Sequence, residues 1–215
     1  ASTTITSNDT YSINWGDGTT DVYSAADFLA TDVIDHVYNG FGYYTITVSV
    51  TSNSGCQALK SYLFYNGSNP SVGMANPGNT VGLCTPATIT FPITNTANNP
   101  TGTVYNVYIS GVLVATYTQE NVPAAYSHTF LESSCGKSTT TGNYENAYDI
   151  QIVATNPCGS SQATIEPIEL SSKPDPEIDT DDPDVICVQE AITLSNGSTG
   201  IGEVISGSTS TCSTY

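Results

Sequence analysis

Hydrophobic and polar residues alternate along several stretches of this chain. In the clearest stretch, residues 44–51, every aromatic or aliphatic residue is followed by a threonine or serine. Ile150, Ile152 and Ala154 repeat the alternation further along. Successive side chains of a β-strand point to opposite faces of a sheet, so this period of two predicts strands with one buried and one solvent-facing side.

Turn signals separate the predicted strands. Ser110–Gly111 lies between two apolar stretches and predicts a hairpin, and Asp17–Gly18 after Trp15 predicts another tight turn. The one helix that the pattern favours is short, at Ser24–Ala30. Many short strands joined by turns predict an all-β fold of antiparallel β-sandwiches.

The chain also contains an internal repeat. Residues 44–56 resemble residues 148–158, and residues 83–90 resemble residues 186–193. The spacing is about 102 residues, which is the size of one sandwich domain. The repeat therefore predicts tandem sandwich units rather than one large domain.

Three parts follow from this repeat. Residues 1–67 are predicted to form a sandwich that lacks its first strands, and residues 68–172 a complete sandwich. Residues 173–215 are predicted to be an acidic linker followed by the first strands of a further repeat. Because the two ends are complementary parts of one unit, residues 173–215 are expected to complete residues 1–66 of another molecule or of the same chain.

The charge balance excludes several functions. The chain has 20 acidic residues, three lysines and no arginine, giving a formal net charge of −17. Such a chain cannot neutralise a nucleic-acid backbone and is repelled by anionic lipid surfaces. No apolar run approaches the ~18–20 residues of a membrane-spanning helix, so membrane insertion is not expected.

Cysteine usage indicates the compartment. Six cysteines, none in a CxxC pair, occur in an acidic, threonine-rich chain. An even number in such a chain predicts disulfides and an extracellular location. Six buried free thiols remain the alternative.

Candidate catalytic chemistry is sparse, and no enzyme is predicted. The chain contains no GxSxG, HExxH or phosphate-binding loop motif. His36 and His128 precede an aromatic residue at equivalent positions of the repeat, which favours a structural hydrogen-bonding role over acid–base chemistry. Trp15 lies on an alternating strand and is predicted to be core rather than a sugar-stacking residue. The better candidates for an exposed aromatic face are Tyr105, Tyr108, Tyr117 and Tyr126, and the alternative for each is a half-buried strand residue.

Carboxylates in two places are candidate ligands for Ca²⁺, which takes six to eight oxygens. One group lies in the acidic linker and comprises Asp179, Asp181, Asp182 and Asp184. The other lies in the first unit and comprises Asp17, Asp21, Asp27, Asp32 and Asp35. The alternative in both places is a set of solvated acidic residues. No other cofactor is expected.

The first unit resembles a known family. Residues 15–19 read Trp-Gly-Asp-Gly-Thr, residues 36–38 read His-Val-Tyr, and Gly42 leads through two tyrosines into the long alternating strand. This order resembles the PKD domain, an immunoglobulin-like sandwich. The resemblance implies structural roles for Trp15, Asp17, Gly18, His36, Tyr38 and Tyr44. The second unit keeps only the His-x-aromatic step and the last strand, and is a divergent PKD-like or immunoglobulin-like unit.

The cysteine arrangement resembles the repeats of very large surface proteins of Bacteroidetes-type bacteria, of which the SprB-like gliding-motility adhesins are the best-known group. The resemblance implies display on the bacterial cell surface and adhesion, with neighbouring repeats and a surface polysaccharide or other substratum as partners. Within this scheme Cys84 and Cys158 are expected to be bonded, and Cys187–Cys212 is a further candidate pair. The alternative function is a carbohydrate- or protein-binding accessory module of a secreted hydrolase.

Overall fold

Nearly all of the regular structure in this computed structural model is β-strand. The structure describes residues 9–30, 33–179, 191–206 and 209–214. Within these ranges the one helix is α1 (Ala25–Ala30), at the place that the sequence predicts. Six residues are far too few to cross a bilayer, so the described residues contain no helix that could span a membrane.

The first unit is one antiparallel sheet of four strands. These are β1 (Thr10–Asn14), β2 (Thr20–Ser24), β3 (Gly42–Thr51) and β4 (Gln57–Asn66), in the order β2-β1-β3-β4. Gly16 opens the turn between β1 and β2 with a φ of 82°. A Cβ atom at Gly16 would lie 2.7 Å from the carbonyl oxygen of Thr45, so this close approach to β3 requires glycine.

The second unit is a two-layered sandwich. Its strands are β5 (Gly73–Met74), β6 (Leu83–Cys84), β7 (Ala87–Thr94), β8 (Val104–Ile109), β9 (Val112–Thr118), β10 (Ala125–Phe130), β11 (Tyr148–Asn156), β12 (Gly159–Ile168) and β13 (Leu170–Ser171). One layer has the order β12-β11-β8-β9 and the other has the order β10-β7-β5. A short parallel pair, β13 with β6, closes one end.

The predicted hairpin at Ser110–Gly111 is confirmed. It joins β8 to β9, and its two central residues have φ angles of 44° and 78°. Positive φ at both central positions is the geometry whose twist matches that of a two-stranded ribbon. Glycine at the second position adopts this geometry without a steric penalty.

The core of the second unit lies between its two sheets. The inward-facing positions of β7, β8 and β11 alternate with solvent-facing ones, as the period of two predicts. The best-buried of these side chains are Phe91, Tyr105, Val107, Ile150 and Ile152. The all-β, antiparallel fold class predicted from the sequence is therefore confirmed.

The four-stranded sheets of the two units share one strand order. β2-β1-β3-β4 corresponds to β9-β8-β11-β12, with β3 in the place of β11. In the second unit a three-stranded sheet covers the inward face, whereas the described residues of the first unit contain no second sheet. The two units therefore differ in how completely their sheet is covered.

Two small two-stranded sheets follow. They are formed by β14 (Ile178–Asp179) with β15 (Ser195–Asn196), and by β16 (Ile201–Ser206) with β17 (Thr209–Thr214). A disulfide between Cys135 and Cys212, with Cα atoms 5.6 Å apart, fastens the last hairpin to the second unit. Cys212 is therefore not available for the bond with Cys187 considered above, and Cys187 itself lies outside the described residues.

The predicted bond between Cys84 and Cys158 is wrong, because both residues are free and exposed in the structure. Cys158 lies in the turn between β11 and β12, whereas Cys84 pairs with Ser171 beyond the far end of β12. The ten extended residues of β12 that lie between them span roughly 33 Å. A disulfide requires Cα atoms within about 7 Å, so the two thiols cannot meet.

Candidate functional site: the Trp15 corner and the junction between the units

Trp15 is the centre of a cluster at the end of β1, which we call the Trp15 corner (Trp15, Asp17, Gly18, His36, Tyr38, Tyr44). Its side chain is only 7% exposed. The indole Nε1–H donates a hydrogen bond to Asp21 Oδ2 at 2.8 Å, and the indole ring stacks on His36 with centroids 4.5 Å apart. The structure thus places Trp15 in the interior, where it offers no free ring face for a sugar.

Asp17 and His36 form the polar part of the corner. His36 Nε2 lies 2.7 Å from Asp17 Oδ2. Asp17 Oδ1 accepts hydrogen bonds from the backbone N–H and the hydroxyl of Thr19. The Thr19 hydroxyl, followed by His36, lowers the pKa of Asp17 to about 2. The carboxylate is therefore ionised at neutral pH and holds the Gly16–Thr19 turn against the His36 segment.

Tyr38 and Tyr44 close the corner from the other side. The Tyr38 hydroxyl donates to the carbonyl oxygen of Trp15 at 2.9 Å, and the two tyrosine rings have centroids 4.3 Å apart. Gly18 completes the turn with a φ of 93°. All six residues implied by the family resemblance thus meet at one place. The ring and hydrogen-bond contacts fix the segment around His36 to the sheet rather than presenting an acid or base to solvent.

The Trp15 corner gives a testable dependence on acid. Because the folded pKa of Asp17 is about 2 and its ordinary value is 3.8, its stabilising effect is present above about pH 4 and is lost as the pH falls towards 2. We expect Asp17→Asn to lower the urea midpoint of the first unit at pH 7 and to flatten its fall between pH 4 and pH 2.

Fluorescence of the single tryptophan reports this unfolding locally. Asp35→Asn, an exposed carboxylate next to His36 in the chain, is the control and should leave the pH profile unchanged. An identical profile for Asp17→Asn and the unmodified chain would contradict the role assigned to Asp17.

The acidic residues of the first unit do not converge on a common point. Asp17 contacts Thr19 and His36, Asp21 contacts Trp15, and Asp27 caps α1 by accepting from the backbone N–H and hydroxyl of Ser24. Across the residues that the structure describes, no group of three or more potential ligands could hold a metal ion. Asp32 lies outside these residues.

Of the four candidate carboxylates in the acidic linker, the structure describes only the backbone of Asp179. Asp179 belongs to β14 and pairs with Ser195. Asp181, Asp182 and Asp184 lie outside the described residues, so calcium binding there stays a prediction.

His128 is the counterpart of His36 in the second unit. Its ring packs edge-on against Phe130, with centroids 4.7 Å apart, and Nδ1 lies 3.5 Å from the Tyr126 hydroxyl. Burial lowers the pKa of His128, so the ring is neutral at pH 7. Like His36, it is enclosed by its neighbours.

The exposed aromatic face for which four tyrosines were candidates is not formed. Tyr105 is completely buried, and Tyr108, Tyr117 and Tyr126 are half-buried. The Tyr105 hydroxyl donates to Gln119 Oε1 and accepts from Asn99 Nδ2, both at 2.5 Å. Burial raises the pKa of Tyr105. Its hydroxyl is therefore hydrogen-bonded to two loop side chains and does not face a ligand.

The junction between the units is held by specific contacts. Asn156 Nδ2 donates to the carbonyl oxygen of Ser68 at 2.9 Å and to the buried hydroxyl of Thr103 at 3.3 Å. The Tyr65 hydroxyl donates to the carbonyl oxygen of Thr101. The next residue, Gly102, has a φ of 91° and lies beneath the tyrosine rings of the first unit.

Sequence reasoning did not single out these junction residues. The available signal was weak: a glycine after Pro100 and an asparagine that ends a long strand. Since Ser68 in the connection 66–70 and Tyr65 just before it are both hydrogen-bonded to residues of the second unit, the junction limits bending between the units.

A folded insertion receives the disulfide. Residues 131–147 carry Cys135, and the buried Asp149 accepts hydrogen bonds from the backbone N–H and hydroxyl of Thr140. Glu166 accepts from Thr141 and Asn143; partial desolvation raises its pKa, but these hydrogen bonds outweigh it and the pKa falls. The insertion is therefore a structured anchor for Cys212.

No protein-family model matches the chain, and no curated protein matches it. Solved structures with a similar backbone path include fibronectin(III)-like modules of Clostridium thermocellum CbhA, at 13% sequence identity and a TM-score of 0.32. That match covers 79% of this chain and 82% of the other one. Another is a Ca²⁺-stabilised adhesin that helps an Antarctic bacterium bind ice, at 10% identity and a TM-score of 0.27, covering 81% and 43%. No functional conclusion rests on likenesses this distant.

Proposed function

We propose that this chain is a structural and adhesive repeat segment of a long secreted bacterial surface protein. In this function it acts as a stiff spacer and as one element of a multivalent adhesion array. Its partners are neighbouring repeats and a polysaccharide or other substratum. A role in gliding motility is the finer form of the proposal and rests on the sequence resemblance alone.

The bonded junction is the observation that carries the proposal. A spacer must keep its two ends at a fixed distance, and a flexible linker would let successive units fold back on one another. Here the connection between the units is short. Hydrogen bonds from Asn156 to Ser68 and from Tyr65 to Thr101 hold it against the second unit. The Cys135–Cys212 bond ties the next segment to the second unit in the same way.

The side chains on the surface of the second unit support the adhesive part of the proposed function. The outward positions of β7 and β10 carry hydroxyl side chains that bond across the strands, Thr88 to Thr129 and Thr90 to Ser127. The net charge of −17 disfavours aggregation of the secreted protein. Contacts spread over such faces are individually weak, so firm attachment requires many copies, which can raise avidity by ~10²–10⁴.

Stiffness can be measured with the native thiols. Cys56 and Cys84 are exposed and lie at the outer ends of the two units. Spin labels on both, in a Cys158→Ser/Cys187→Ser background, should give a narrow distance distribution that Asn156→Ala broadens. Asn98→Ala, at an exposed loop position, is the control. A broad distribution in the parent chain would contradict the spacer function.

Adhesion is tested with beads that carry the chain at several densities. We expect retention on polysaccharide-coated surfaces to rise steeply with density, while the soluble chain shows no binding on a glycan array. Tight binding of one glycan by the soluble chain would instead support the accessory module of a secreted hydrolase.

A further inference from the structure

The sheet of the first unit has an apolar face that is only partly covered. We call it the open face; it consists of Ile46, Val48 and Val50 on β3 and Tyr62 on β4. Register places Tyr62 directly opposite Ile46. Tyr62 is 69% exposed, and the three aliphatic side chains are half-buried.

The same positions in the second unit are completely buried. Ile46, Val48 and Val50 correspond to Ile150, Ile152 and Ala154 on β11, which are all 0% exposed. The difference does not come from the residue types, which are similarly apolar. It comes from the covering layer that the second unit has and the described first unit lacks.

In the second unit this covering layer is centred on β7. Ile89 and Phe91 point from β7 into the core and are 6% and 0% exposed. β10 is a strand there because it pairs with β7, with His128 opposite Ile89.

The counterpart of β10 in the first unit, residues 36–38, forms no strand. A segment that forms a strand only when its partner is present explains this difference.

The chain carries a second copy of the missing strand. The repeat aligns residues 83–90 with residues 186–193, so Ile192 corresponds to Ile89 and Leu194 to Phe91. In the described segment 191–194 these two side chains are 54% and 61% exposed. The described residues thus contain both an apolar sheet face with no covering strand and a segment of matching sequence whose two apolar side chains are exposed.

We propose that the open face binds the strand containing Ile192 and Leu194 of a second copy of this chain. The bound strand lies antiparallel to residues 34–38, as β7 lies against β10, and places Ile192 and Leu194 over β3. Backbone hydrogen bonds provide affinity, and the two alternate apolar side chains provide register.

The strand cannot serve the open face of its own molecule. Leu194 directly precedes Ser195, which pairs with Asp179, and the Cys135–Cys212 bond holds this region near Leu170. The first unit contacts the opposite end of the second unit, where the Tyr65 hydroxyl donates to the carbonyl oxygen of Thr101. The ten residues of β12 alone separate these ends by roughly 33 Å, whereas Leu194 lies one residue from its anchor.

Donor and acceptor surfaces at opposite ends of a molecule give a head-to-tail contact. Such an interface is heterologous, and unless the rotation closes a ring it propagates as an open linear assembly. The inference therefore goes beyond the proposed spacer, because it makes the chain itself able to form filaments. It stands or falls independently of adhesion.

The test is sedimentation velocity of the full chain over a range of concentrations, in 0.15 M salt or more so that acidic repulsion is screened. We expect the average mass to rise with concentration well above that of one chain. Tyr62→Glu should block the acceptor and Leu194→Asp the donor, each weakening association at least tenfold. An equimolar mixture of the two variants should stop at the mass of two chains, because only one productive contact is possible.

Leu63→Glu is the matched control. Leu63 is the neighbour of Tyr62 on β4, is 62% exposed and points to the opposite face, so the variant should assemble like the parent chain. Tyr62 and Leu194 are both exposed, and circular dichroism checks that their variants remain folded. A parent chain that stays monomeric, a Leu63→Glu variant that is equally impaired, or a mixture that forms no dimer would each overturn the proposal.

Discussion

Replacing Ile152 with alanine is expected to lower the free energy of unfolding of the second unit by about 2–5 kcal/mol. Ile152 is 0% exposed and lies between the two sheets. Its truncation leaves a cavity that rigid strands on both sides cannot fill. For a unit of this size, a loss of that order lowers the melting temperature by roughly 10 °C or more.

The matched variant is Val48→Ala in the first unit, at the equivalent position of β3. Because Val48 is half-buried, its loss should cost only about 1 kcal/mol. Hydrogen exchange at the amides of β11 follows the second unit, and fluorescence of the single tryptophan follows the first. Equal losses for the two variants in dilute solution would mean that the open face is covered in the monomer.

Removing the Cys135–Cys212 bond with Cys135→Ser is expected to cost up to about 4 kcal/mol of stability in the C-terminal region. The bond closes a loop of 77 residues. The entropy that a disulfide removes from the unfolded chain increases with the length of the loop it closes. β16 and β17 pair with each other and should then separate from the second unit. Hydrogen exchange at residues 201–214 and limited proteolysis of residues 173–200 measure this loss.

Cys84→Ser supplies the control for the disulfide. Cys84 is a free, exposed thiol, so its replacement should leave stability within about 0.5 kcal/mol of the parent chain. Labelling of the native protein should modify Cys56, Cys84 and Cys158 but not Cys135. A large effect of Cys84→Ser, with Cys84 protected from labelling, would restore the pairing with Cys158 that the repeat suggested.

The two cysteine results show where sequence reasoning reaches its limit. The repeat correctly indicated that β3 recurs as β11, because strand pattern is local. Whether two cysteines meet depends on the direction in which each strand runs through the sandwich. Cys84 and Cys158 bracket one unit in the sequence, but the β11–β12 hairpin carries them to opposite ends.

Aromatic burial shows the same limit. Tyr105 was a candidate for an exposed surface because alternation does not say which face of a strand meets another sheet. In the structure, β8 is a central strand that faces the second layer, so Tyr105 is buried and its hydroxyl needs Asn99 and Gln119. The hydrogen-bond partners come from loops that no periodicity relates to β8.

The residues of this chain settle the class of fold, the places of its main strands, the short helix α1 and the tight turns at Asp17–Gly18 and Ser110–Gly111. These features depend on neighbours along the backbone, where side-chain alternation and the φ preference of glycine act directly. Tertiary packing decided the partner of Cys135, the bonded junction at Asn156 and the exposure of the face around Val48. Each of these depends on which surfaces meet across tens of residues, and that is a property of the assembled sheets rather than of any one segment.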